Sequence, residues 1–233
     1  MLGQAGPTAY DLQFRCCGVP VRVTPWFWLM GVLMGRGYLE DGRPELLIVW
    51  VLCLFVSILV HEMGHALLAS AFGWPPSVIL YHFGGLAMFQ PHYGYTAGRS
   101  IAVSFAGPGA GFLLYGAVYA VDFLLIQTRT DPGEIGVHAL YQLEWINLWW
   151  GLVNLLPVLP LDGGRICQEI CQSARPRNGF EIAAMIGMVV AAVTAAFFFS
   201  RHEQYGLFPG ILFAILCVEN YQMLQQLRGR DWR

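Results

Sequence analysis

The chain has little charge and no lysine. Only 12% of its 233 residues are charged and 56% are apolar, against about 25% and about 45–50% in ordinary soluble domains. All thirteen basic residues are arginine, and the formal net charge is −2. So few charged residues cannot cover the surface of a water-soluble protein. The slightly negative net charge also argues against a basic face that would bind nucleic acid. The composition therefore excludes an ordinary soluble enzyme, a disordered chain and a nucleic-acid-binding protein, and it predicts an integral membrane protein.

Other features are absent as well. Residues 1–22 have no long apolar core of the kind found in a secretory signal, and no cysteines show the paired spacing of a zinc cluster. We expect all six cysteines to be structural thiols. Because membrane spans of about 20 residues use nearly all of the length, we expect residues 1–233 to form one transmembrane domain. The cysteines are Cys16, Cys17, Cys53, Cys167, Cys171 and Cys217.

Apolar segments predict about six transmembrane helices. The predicted spans are residues 25–39, 46–72, 101–126, 135–156, 180–199 and 207–224. Cytoplasmic loops collect the excess of basic residues. Nine arginines lie on the side of the two termini and four on the other, so both termini are predicted to be cytoplasmic.

Two short segments predict β-structure at the membrane surface. Residues 14–23 partly alternate polar and apolar side chains, as a strand does. Residues 78–89 resemble a hairpin in which Gly84 and Gly85 form the turn. The predicted fold is therefore an all-α polytopic membrane protein with a small membrane-associated β-hairpin or sheet.

The second predicted span contains the sequence His61-Glu62-Met63-Gly64-His65. On a helix, residues four apart share a face, so the two histidines can present both imidazoles to one metal ion with Glu62 beside them. Ionisable groups are costly in a membrane helix and are by default functional. We therefore favour a metal site over an accidental polar patch.

A hydrolytic zinc ion needs a third protein ligand. The best candidate is Asp162, which follows Pro157 and Pro160 and precedes Gly163 and Gly164. Prolines stop the preceding helix and glycines permit a sharp turn, so this carboxylate can reach sideways to an ion. The alternative is that Asp162 only caps the helix that follows.

These residues resemble the site-2 proteases, a family of intramembrane zinc metalloproteases. His61 to His65 matches the family's HExxH helix, residues 154–164 match its NxxPxxxLDGG element, and residues 106–108 resemble an Ala-Gly-Pro motif of its third helix. The resemblance implies regulated proteolysis of membrane-spanning substrates, such as a membrane-anchored regulator or a signal-peptide remnant, in a bacterial inner membrane. It further implies one zinc ion held by His61, His65 and Asp162, with Glu62 as catalytic base.

Two features are candidates for substrate binding. Asn154 can donate a hydrogen bond to substrate, although a helix-packing role is an equal alternative. The hairpin with Gly84 and Gly85 can pair with an unwound substrate by strand addition, although it can also be a plain connection.

Two other functions remain open. The first is a transporter or metal-handling membrane protein, but no inverted repeat of broken helices is visible. The second is an inactive scaffold, against which the intact Glu62 argues.

Overall fold

The computed structural model describes residues 8–82, 84–90, 94–201 and 207–228. The predicted class is confirmed, because the described residues are mostly helical and form one small sheet. The elements are β1 (Leu12–Cys16), β2 (Val19–Val23), α1 (Pro25–Met34), α2 (Arg36–Glu40), α3 (Pro44–Ala71), β3 (Pro76–Tyr81), β4 (Gly84–Phe89), α4 (Ala97–Thr128), α5 (Gly133–Asn154), α6 (Asp162–Ala174), α7 (Gly179–Ser200) and α8 (Leu207–Arg228).

Four helices, α3, α4, α7 and α8, are long and apolar enough to cross a membrane. They correspond to four of the six predicted spans, and the other two are not confirmed. Predicted span 25–39 is split into α1 and α2, and α1 has 10 residues, about half of what a span needs. Predicted span 135–156 corresponds to α5, which is long enough but is interrupted by polar side chains such as Gln142, Glu144 and Asn147.

The chain divides into two compact units. One comprises Met1–Gly94 with Ala106–Gly151, and the other comprises Tyr95–Phe105 with Leu152–Arg233. In the first unit a buried cluster joins the sheet to α1, α3 and α5, and in the second a cluster joins Val158 to α7 and α8. A single domain over residues 1–233 remains a prediction.

The sheet has the order β1-β2-β3-β4. The strand predicted at residues 14–23 is a hairpin, because Cys17 and Gly18 both have positive φ (49° and 82°), as a tight two-residue turn requires. β2 then pairs in parallel with β3, placing Val21 opposite Val78. The buried Thr24 continues this pairing, since its N–H donates to the Leu80 carbonyl at 3.0 Å.

The second hairpin is confirmed, but its turn is not where the sequence predicted it. Gly84 and Gly85 belong to β4, where they pair with Tyr81 and Leu80. The chain reverses instead from His82, which has a φ of 34°. Strand position 85 requires glycine because a neighbouring side chain leaves no room for a Cβ there, as described below.

Candidate metal centre

Helix α3 places the two histidines of the motif on one face of the helix, with their rings edge to face at an interplanar angle of 80°. The helix begins with Pro44 at its first position, where a missing N–H costs nothing, and it ends before Gly73, whose φ is 77°. His61 and His65 are one turn apart and are 3% and 6% exposed. Their Nε2 atoms lie 3.2 Å apart. Two nitrogen ligands of one tetrahedral zinc ion, each about 2.0–2.1 Å from it, are separated by about 3.3 Å, so this pair fits a shared ion.

Helix α4 packs against this face of α3 through small residues. A Cβ at Gly107 would lie 2.1 Å from His65 Nε2, and a Cβ at Gly64 would lie 2.3 Å from the Ala106 carbonyl oxygen. Only glycine permits these two approaches. The Ala-Gly-Pro sequence at residues 106–108 therefore has a physical role, which is to bring the backbone of α4 against the His65 imidazole.

Glu62 lies against strand β4. A Cβ at Gly85 would lie 2.2 Å from Glu62 Cγ and 2.7 Å from its Oε1. Glu62 itself is 6% exposed. The structure thus places the carboxylate of the HExxH motif beside β4, one of the two edge strands of the sheet. Gly85 was a substrate-binding candidate in the sequence, and its contact with Glu62 is a finding of the structure.

Asp162 is the first residue of α6, in the second compact unit. It is buried, and it follows the non-helical segment 155–161, which contains both prolines. A Cβ at Gly163 would lie 2.1 Å from the Leu155 carbonyl oxygen, and one at Gly164 would lie 2.4 Å from the Val158 carbonyl carbon. The two glycines therefore let the first turn of α6 pack directly on the backbone of the break.

Other residues noted in the sequence have different positions. Asn154 is the last residue of α5 and is half-buried. Gly84 faces the Trp150 ring, with a Cβ at that position 3.4 Å from the indole.

The cysteines match the expectation of free thiols. On α6, the sulfur atoms of Cys167 and Cys171 are 4.0 Å apart. Burial raises the pKa of the Cys167 thiol to about 11. Because the thiolate is the metal-binding form, this pair is a poor ligand set at neutral pH.

Sequence reasoning missed the contacts that support these groups. The sequence indicated Gly107 only as part of the Ala-Gly-Pro motif, and Gly64 only as a variable position of HExxH. Their signal in the sequence is glycine at a helix position where alanine would be more stable by about 1 kcal/mol. Such glycines mark a close approach, but not the partner that approaches.

Comparison with known proteins agrees with this geometry. The family model for Peptidase family M50 matches residues 132–196. A zinc metalloprotease of Methanocaldococcus jannaschii is 29% identical over 195 residues, covering 79% of this chain and 52% of that protein. The stage IV sporulation protein FB of Bacillus subtilis is 32% identical over 147 residues, covering 63% and 46%.

A solved structure is similar along almost the whole chain. It is a site-2 protease from Methanocaldococcus jannaschii, with a TM-score of 0.64 and 25% sequence identity, and the match covers 92% of this chain and 95% of that one. The chain spans about half the length of the curated relatives it matches.

Proposed function

We propose that the chain is an intramembrane zinc metalloprotease, because the model for Peptidase family M50 matches residues 132–196 and a solved site-2 protease is similar over 92% of this chain. Its substrates are membrane-spanning proteins, cleaved near the cytoplasmic side of the bilayer. The observation that supports this best is the pair of buried imidazoles 3.2 Å apart on a helix apolar enough to cross a membrane. A hydrolytic metal site inside a membrane helix has little use other than cleaving a bond held in the membrane.

The proposed ligand set is His61, His65 and Asp162, holding one zinc ion. All three are buried, and each side chain offers one donor atom to a metal ion. Two imidazoles and one carboxylate match the donors of hydrolytic zinc sites, which keep a fourth position open. When bound, zinc supplies Lewis-acid activation of a water molecule and of the scissile carbonyl.

Glu62 is the proposed catalytic base. Glu62 precedes the proposed ligand His65 by three residues, and residues three apart share a helix face, so its carboxylate is available to a water molecule at the proposed metal centre. There it accepts a proton from the attacking water and later donates a proton to the leaving amine. The contact with Gly85 restrains the Glu62 side chain on the side of the sheet. This restraint keeps the Glu62 carboxylate in place while no substrate is bound.

Strand β4 is the proposed binding site for the unwound substrate. A helical substrate hides its peptide bonds in hydrogen bonds, so it must be extended before attack. β4 lies at an edge of the sheet, and its residue Gly85 lies beside Glu62. A substrate strand added to this edge is therefore delivered next to the base, with Asn154 as a further proposed hydrogen-bond donor.

A proline in β4, at a position whose N–H points away from β3, tests strand addition. Proline removes the donor but is tolerated on an edge strand. Cleavage should be lost while zinc content stays unchanged. Unchanged cleavage would leave β4 as a plain connection between α3 and α4.

The proposed location is the bacterial inner membrane, with both termini in the cytoplasm. The excess of arginine on one side supports this orientation. The proposed partners are the lipid bilayer and a transmembrane substrate. A membrane-anchored regulator and a signal-peptide remnant are both candidate substrates, because each has an apolar segment in the membrane.

Glu62→Gln separates the proposed function from a transporter and from a scaffold. In a protease this variant loses cleavage of a membrane-spanning substrate and keeps stoichiometric zinc. We expect a loss of at least about 100-fold, the scale of a missing acid–base group. If the protein is a transporter, the variant should still transport its ion. If it is a scaffold, the variant should behave as the wild type does in every assay. Glu40→Gln, at an exposed acid on α2, is the control and should cleave as the wild type does.

A further inference from the structure

Asn220 on α8 is a buried amide in an apolar helix. It is 1% exposed, and its Nδ2 donates to the Leu159 carbonyl at 2.7 Å and to the Leu216 carbonyl at 2.8 Å. The second bond lies within α8 itself. The first joins α8 to the proline-containing break, three residues before Asp162.

A glycine on α7 makes room for this amide. A Cβ at Gly187 would lie 2.4 Å from Asn220 Oδ1 and 3.3 Å from the Pro157 carbonyl oxygen. Helix α7 therefore presents bare backbone to both the amide and the break. Two helices thus meet the break at Pro157 and Leu159.

The arrangement is costly for stability alone. Among the described residues, Asn220 Oδ1 has no hydrogen-bond partner, and an unsatisfied buried polar atom costs about 1–3 kcal/mol. A leucine of similar size would fill the same space without this cost. The bond to Leu159 therefore indicates a role other than packing.

That role follows from what Leu159 touches. A Cβ at Gly164 would lie 2.5 Å from the Leu159 nitrogen, so the first turn of α6 is built directly on the Val158–Leu159 peptide unit. This unit adjoins the one whose carbonyl accepts the hydrogen bond from Asn220. Fixing the Leu159 carbonyl therefore fixes the base on which Asp162 and Gly164 sit. Hydrogen bonds around a metal site orient its ligands in this way.

We propose that Asn220 is a positioning residue for the metal centre: by holding the Leu159 carbonyl, it sets the position of the Asp162 carboxylate. The inference rests on the proposed function, in which Asp162 is a zinc ligand. Gly187 is the second part of the device, because it lets the Asn220 amide reach the break.

The test is the zinc dissociation constant of purified protein in detergent, measured by competition with a chelator. Asn220→Leu removes the donor at similar volume and should weaken zinc binding about 10–100-fold, the usual effect of losing an outer partner of a ligand. Gly187→Ala displaces the amide without removing it and should weaken binding in the same direction but less. Because it changes a different helix, it also tests the proposal if Asn220→Leu does not fold.

Gln142→Leu is the matched control. Gln142 is also a buried amide in a helix, and its Nε2 donates to the Tyr38 hydroxyl of α2. Neither α2 nor α5 supplies a proposed ligand, so this change should leave the zinc dissociation constant within about two-fold of the wild type, as expected for an independent site. If Gln142→Leu weakens zinc binding as much as Asn220→Leu does, the effect is general loosening and the proposal is wrong.

Asp162→Asn distinguishes a failure of the positioning role of Asn220 from a failure of the proposed ligand set. We expect it to weaken zinc binding at least as much as Asn220→Leu. If it does so while Asn220→Leu and Gly187→Ala bind zinc as the wild type does, the positioning role alone is overturned. If Asp162→Asn itself binds zinc normally, the proposed ligand set fails and the role of Asn220 fails with it.

Discussion

The two segments that supply the proposed ligands are built in opposite ways. His61 and His65 lie within 28 residues of uninterrupted helix, and their separation follows from helix geometry alone. Asp162 lies where a helix has been broken by prolines, and its position depends on Gly163, Gly164 and Asn220. One segment is specified locally, whereas the other is specified by residues from α6, α7 and α8. We therefore expect the two segments to respond differently to mutation.

The largest effect is expected for His65→Ala. Removing one imidazole should weaken zinc binding by more than the roughly 100-fold seen for outer partners. The zinc-free protein should keep its thermal stability, because alanine favours the helix. Chelator competition and thermal unfolding in detergent measure the two quantities. A large loss of stability without metal would show that α3 is not locally specified.

Gly164→Ala should give the opposite pattern. The new Cβ meets the Val158 and Leu159 backbone at 2.4–2.5 Å, and such overpacking costs about 1–3 kcal/mol. The zinc-free protein should therefore unfold at a lower temperature, and zinc binding should weaken as well.

Gly116→Ala on α4 is the control for this change, since a Cβ there meets nothing within 4 Å. It should be neutral or stabilising by up to about 1 kcal/mol. Equal effects of the two substitutions would remove the distinction between the segments.

The smallest effect concerns α6 beyond Asp162. Glu169 accepts hydrogen bonds from the Tyr95 hydroxyl and, at 2.8 Å, from Ser100 Oγ. Burial, together with the Glu169 carboxylate, raises the pKa of Tyr95. The neutral phenol is thus the form that the fold favours. Its contribution to stability is complete below the ordinary tyrosine pKa of about 10 and is lost as the pH rises through the raised value.

Tyr95→Phe should therefore be slightly less stable than the wild type at neutral pH. The difference should shrink at alkaline pH, because ionised Tyr95 repels Glu169. Thermal unfolding from pH 7 to pH 11 measures it, with Tyr10→Phe, at an 86% exposed tyrosine, as control. A difference that does not change with pH would mean that the Tyr95–Glu169 bond does not stabilise α6.

The same contrast explains how much could be predicted from the sequence. The HExxH pair, the four long apolar helices and the two segments that contain the strands follow from local patterns, which a sequence displays directly. The turn of the second hairpin was misplaced because Gly84 and Gly85 have the composition of a turn. The role of Gly85 depends on Glu62, which precedes it by 23 residues in the chain. Asn220 was indistinguishable from an amide that links helices, because its partner is a backbone carbonyl 61 residues away.

The parallel pairing of β2 with β3 also orders the events of folding. Val21 and Val78 are partners across three intervening helices, so the hairpin of β1 and β2 is synthesised long before β3 emerges. Such non-local pairing is slow to form, because a long loop must close before any contact is gained. Helix α3 is therefore synthesised in full before the sheet can be completed. The sheet is then finished late, beside a helix that already contains both histidines.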